Sequence, residues 1–285
     1  MFRHRPRVAV EPHSDPTQLM EPTPQTHEPA SAAPQPPAMS LGGRLLNVFA
    51  TPADVFQEVK TSSVSQANWL VPAVILLLVG WTALWLVFSQ DSINHQLSEI
   101  TDQAIQKQID SGRLSEREAE RLHDAADKWA GVGPKVIAAL VPVLGGFATP
   151  FVWGLIVWLV GAKVFKGNFP YMKAVEVVGV ANMISVLDVI VKTLLIVGMG
   201  NLYASPSLTL LVKEFDPQNP VHSLLAVVNI MTFWVLAVRA IGLARLSGVS
   251  FVKAALWVYG IWAAYTGFFV GLAVLLQAAV KRLTP

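Results

Sequence analysis

Apolar residues fill five long stretches of this chain, and the segments between them are polar at helical or irregular spacing. No charge occurs between Lys60 and Asp91, and Trp69 to Phe88 supplies twenty mostly apolar positions, about what an α-helix needs to cross a hydrocarbon core. A second uncharged run from Val136 to Ala162 contains Pro142, Pro150 and Gly145-Gly146, which predict a kinked or broken helix. Further spans are predicted from about Ala174 to Met199, Leu224 to Leu246 and Ala254 to Val280. The expected fold class is therefore all-α: a polytopic membrane bundle of five transmembrane helices, with its two termini on opposite sides.

The flanking segments differ in kind. Residues 1–40 hold nine of the nineteen prolines and no periodic apolar pattern, and they are predicted to be a disordered, Pro-rich cytoplasmic tail. Arg3, Arg5 and Arg7 precede no apolar core, so no cleavable signal peptide is expected. Residues 41–68 read as an amphipathic interfacial segment, with Leu45, Val48, Phe49, Val55, Phe56 and Val59 at helical spacing and a helix start at Thr51-Pro52. That face could equally pack on the protein's own spans. Within the membrane domain of residues 69–285, residues 91–130 predict a helical hairpin on the non-cytoplasmic side. Its arms break at Asp110-Ser111-Gly112, and Ser115 and Glu118 are spaced as a capping box. Glu116, Glu118, Glu120, Asp124 and Asp127 read as a solvated face.

Composition supports a lipid setting: the chain is 53% hydrophobic and 14% charged, against about a quarter charged in soluble domains. A net charge of +2 gives no polybasic field, so no nucleic-acid partner is expected. Zero cysteines exclude disulfides and thiolate metal sites. Lys163, Lys166 and Lys173 flank the second-to-third connection, and Arg239, Arg245 and Lys253 the fourth-to-fifth, which predicts both to be cytoplasmic in the cell inner membrane. Lys281 and Arg282 run against that rule.

The order of several short motifs resembles the Yip1 domain family. They are Leu45-Leu46-Asn47-Val48-Phe49 leading to Thr51-Pro52 and Phe56, Trp69-Leu70-Val71-Pro72, Pro170-Tyr171 with Lys173, then Trp234, Gly242 and Gly248-Val249-Ser250-Phe251 with Lys253-Ala254. The resemblance runs from about Leu41 to Lys281. It implies a five-span integral membrane protein with a cytoplasmic N-terminus, and it supplies no catalytic residue. Eukaryotic relatives associate with Rab-type GTPases in vesicle traffic; the extended segment between the first two spans looks more like the bacterial branch, which has no such vesicle system to serve.

Candidate chemistry concentrates in the third span. Asn182, Ser185, Asp188, Lys192 and Thr193 fall within an arc of about 140° at roughly 100° per residue, and Asp188 can pair with Lys192 at i,i+4. The pair is either a self-neutralising structural element or the binding face of a small transporter or channel. Glu176, near Lys173, reads as interfacial. Arg239 and Arg245 are expected to contact anionic lipid headgroups, with Arg239 also deep enough to reach Asp188 or Glu176. Gly260, Gly267 and Gly271 line one helix face for close packing, within the bundle or in a homo-oligomer.

No HExxH is present, Gly198-Met199-Gly200-Asn201 lacks the aspartate of an intramembrane protease, and the histidines are scattered, so no metal, cofactor or enzyme activity is expected. These readings favour a membrane scaffold or organiser working through lipids, an unidentified membrane or cytoplasmic protein partner, or itself.

Overall fold

A computed structural model of the chain describes residues 39–112, 114–115, 117–118, 120–121, 133–213, 215–216 and 219–283. Among them the regular structure is helical, with one isolated antiparallel bridge between Ser207 and Asn229. Helices α1 (Leu41–Asn47) and α2 (Pro52–Thr61) precede the first span, α3 (Ala67–Phe88). Then come α4 (Asp91–Asp110), α5 (Gly133–Trp158), α6 (Tyr171–Ala181), α7 (Met183–Met199), α8 (Pro220–Val227), α9 (Ile230–Ser247) and α10 (Phe251–Leu283). Five helical segments are long and apolar enough to cross a membrane: Ala67–Phe88, Ala138–Val164, Tyr171–Met199, Ile230–Ser247 and Phe251–Leu276.

The predicted tail, residues 1–40, lies outside the described residues except for Met39 and Ser40. Ser40 is in fact the N-cap of α1, its hydroxyl accepting from the Gly43 amide at 3.1 Å. Of the hairpin, α4 is formed as expected, while most of the second arm is not among the described residues. Its capping box is present: the Ser115 amide donates to Glu118 Oε2 at 3.0 Å and the Glu118 amide to the Ser115 hydroxyl at 3.4 Å. The Ser115 hydroxyl also donates to Glu118 Oε2 at 2.7 Å, and this bond, with that from the Ser115 amide, holds the Glu118 carboxyl below its usual range.

Three element boundaries depart from expectation. Helix α5 runs unbroken through Pro142 and Pro150, and the irregularity comes later, as a π-turn over Leu159–Val164 where the Phe165 amide donates to the Val160 carbonyl at 2.9 Å. The third span is two helices joined at Asn182 rather than one. The fourth begins at Ile230, not Leu224. The Asn229 side chain accepts from the Met231 and Thr232 amides, at 2.8 and 3.4 Å, and this cap separates α8 from α9.

The core lies where α2, α6 and α9 meet. Val55, Phe56 and Val59 of α2 are fully buried against Val177, Val178, Leu243 and Leu246, so the amphipathic face of α2 packs on the protein's own spans. Two glycines permit this density. A Cβ on Gly179 would collide with Trp69, and one on Gly242 with the Val177 side chain. At this end of the bundle Lys60 Nζ donates to the Arg245 carbonyl at 2.8 Å and Gly167 abuts Ser247, which gathers α2 with the second-to-third and fourth-to-fifth connections. At the other end the Leu202 amide donates to Gln96 Oε1 at 3.1 Å and ties α4 to the turn after the third span.

Candidate functional site

Two polar arrangements and one cleft sit inside this apolar frame. The first is a closed network. Arg44 donates to Glu58 Oε1 through Nη2 at 2.8 Å and Nε at 3.3 Å, and through Nη1 to Asn68 Oδ1 at 3.2 Å. Asn68 Nδ2 donates to Glu176 Oε2 at 2.9 Å, and that oxygen also receives Lys173 Nζ at 3.2 Å. Glu176 Oε1 takes the Ser65 amide at 2.8 Å, and Lys173 reaches the Ser63 carbonyl at 3.0 Å. Two cations and two carboxylates thus balance, and each has hydrogen bonds that offset its desolvation.

Glu176 is fully buried, which corrects the expectation of an interfacial residue: its partner Asn68 lies 108 positions away, beyond the reach of any local pattern. Sequence reasoning missed Arg44 and Asn68 as partners. The available signal was a lone amide at the mouth of an otherwise apolar span.

The second arrangement centres on Arg239. Its guanidinium lies 4.7 Å from the Trp153 ring centre and donates from Nη2 to Asn182 Oδ1 at 3.1 Å. Arg239 is 5% exposed, so the headgroup contact expected of it does not occur, and it meets Asn182 rather than Asp188 or Glu176. Asn182 closes α6 and opens α7, and its side-chain oxygen meets Arg239 of α9 there. Arg239 Nε and Asn182 Nδ2 are both buried without partners.

The remaining residues of the predicted polar face, Ser185, Asp188 and Lys192, line one cleft of about 460 Å³ between α3, α5 and α7, together with Thr193. No ion pair within 4.0 Å joins Asp188 to Lys192: Asp188 Oδ1 is buried without a hydrogen-bond partner, and Lys192 is exposed. The expected intrahelical pairing is therefore not formed. On the α3 side the cleft runs from Leu76 to Phe88, the half distant from α2. Toward α2 it is closed by close helix approach: a Cβ added to Gly146 would stand 2.9 Å from the Ala73 carbonyl oxygen, and one added to Gly179 would collide with Trp69.

The fifth span packs on α9 along one stripe, through Ala254, Val258, Tyr259 and Trp262, and leaves its opposite face open. Only 6% of its most apolar window is buried, against 56% for the fourth span. A Cβ on Gly260, Gly267 or Gly271 would meet nothing within 4 Å among the described residues, so of the two packings expected for these glycines the one within the bundle is not formed there. Arg245, unlike Arg239, is exposed at the end of α9.

Among the described residues no three His, Cys, Asp or Glu side chains converge as a metal site. Comparison with known proteins gives one family match: the model for the Yip1 domain covers residues 46–273, most of the chain. No curated protein and no solved structure matches.

Proposed function

The chain belongs to the Yip1 domain family, and from that premise we propose a non-enzymatic membrane organiser that works by associating laterally with a second copy of itself and by holding anionic lipid. The carrying observation is the fifth span: a 33-residue helix that packs on α9 along one stripe and leaves the opposite face, with Gly260, Gly267 and Gly271, open among the described residues. Small residues at i,i+4 let two helix backbones approach closely, and a two-fold pair of identical faces closes without leaving an edge. With packing inside the bundle removed, a second copy is the partner these glycines suit. In this reading the protein lies in the cell inner membrane, with the end that gathers α2, Lys163, Lys166, Arg245 and Lys253 on the cytoplasmic side.

Energy transfer between donor- and acceptor-labelled copies in proteoliposomes tests this. Efficiency should exceed that of a random mixture at the same protein density and fall to it in Gly267→Leu/Gly271→Leu. A signal equal to random mixing in the unaltered protein would refute association.

A second reading, a small transporter or channel, is favoured by the unpartnered Asp188 oxygen in the third-span cleft. The closure at Gly146 and Gly179 speaks against a path through the bundle. Ion flux into proteoliposomes that Asp188→Asn abolishes would favour this second reading; absence of such flux favours the organiser.

A further inference from the structure

A pocket of about 560 Å³ opens where α2 meets the end of α9 and the start of α10. Ala53, Gln57 and Lys60, which share one face of α2, form one wall, and Arg245 stands on the other. No acidic residue lines it. Lys60 spends one N–H on the Arg245 carbonyl at 2.8 Å, which leaves two of its three donors for a ligand. The Arg245 guanidinium is exposed, and among the described residues no carboxylate comes within 4.0 Å of either cation. Gly248, at φ 72°, turns the chain so that α10 starts beside them, and the free amides of its first turn add positive potential.

The surroundings choose the source of the anion. The pocket lies at the junction of two membrane spans, and its rim continues into Phe251, Val252 and Leu256, which are 46%, 64% and 70% exposed. A soluble phosphate ester has nothing to offer that apolar strip, whereas acyl chains cover it. Basic pockets between transmembrane helices are suited to acidic headgroups.

We propose that this pocket is a headgroup site for an anionic phospholipid, with the phosphate between the Lys60 ammonium and the Arg245 guanidinium and the acyl chains along the first turns of α10. The inference rests on the lipid half of the reading above and assigns it a place.

Native mass spectrometry of the full-length chain, incubated in detergent with equal amounts of phosphatidylglycerol and phosphatidylcholine, tests it. Phosphatidylglycerol should be retained preferentially, and Lys60→Gln/Arg245→Gln should reduce that preference by about fivefold for each cation removed. Lys60→Arg/Arg245→Lys should keep it, and Arg121→Gln, an exposed cation elsewhere, should leave it unchanged. An undiminished preference in the glutamine pair overturns the proposal, as does its loss in the charge-keeping pair when circular dichroism shows both folded. Displacement of the lipid by excess glycerol phosphate would overturn the choice of a lipid. Self-association is read separately by energy transfer, so a monomer that retains phosphatidylglycerol would contradict the organiser and leave this site standing.

Discussion

Asn68 donates to Glu176 at 2.9 Å, and neither side chain has any exposed surface. This bond joins the first span to the third and, through Arg44 and Lys173, fastens α1 and the 62–66 linker to both. Removing one member of a buried, balanced set strands the others. Glu176→Ala leaves Lys173 without its counter-ion and should cost about 3–5 kcal/mol, and Asn68→Ala about 1–3 kcal/mol. Lys173→Met/Glu176→Leu together should cost much less than the sum of the single changes. A double-mutant cycle from thermal unfolding in detergent measures the coupling.

Close backbone approach gives a second prediction. Gly179→Ala and Gly242→Ala should each lower stability by about 1–3 kcal/mol, because Trp69 and Val177 occupy the space of the new methyl. Gly260→Ala, where nothing lies within 4 Å, should stay within about 0.5 kcal/mol of the parent. Fluorescence-detected melting of the three variants separates the two classes.

Arg239 and Asn182 are buried together, and replacing both by apolar residues, Arg239→Met/Asn182→Leu, should be nearly neutral. Arg239→Met alone strands the buried Asn182 amide and should cost about 1–3 kcal/mol. Its phosphatidylglycerol retention should equal that of the parent, since this side chain does not reach the headgroups. Melting temperature and native mass spectrometry on one preparation give both answers.

The Asn229 cap predicts a local effect. Asn229→Ala removes the acceptor for the Met231 and Thr232 amides and should cost about 1 kcal/mol. Hydrogen exchange should rise at those two amides before it rises in the middle of α9.

The apolar runs made the five spans legible, because each is long enough to cross lipid and is bounded by charge or turn residues. The buried face of α2 was equally legible in Val55, Phe56 and Val59, though not whether lipid or protein would cover it. What stayed hidden depended on distant partners. Glu176 looks interfacial until Asn68 is brought against it, and Arg239 looks like a headgroup ligand until the junction at Asn182 places an amide beside it. Prolines drew attention within α5, yet the helix absorbs both and irregularity appears at Leu159–Val164. The glycine pair in α10 was visible as a packing face, but only the fold shows that nothing among the described residues fills it.

That empty face carries the proposed function, and cysteine crosslinking probes it directly, because the chain has no cysteine of its own. Val274 lies one turn beyond Gly271 on the same face, whereas Phe269 points away from it, and both are exposed. Under mild oxidation in native membranes, Val274→Cys should give a disulfide-linked dimer of this chain and Phe269→Cys should remain monomeric. Equal crosslinking at both positions, or none at Val274→Cys, would contradict self-association through the fifth span.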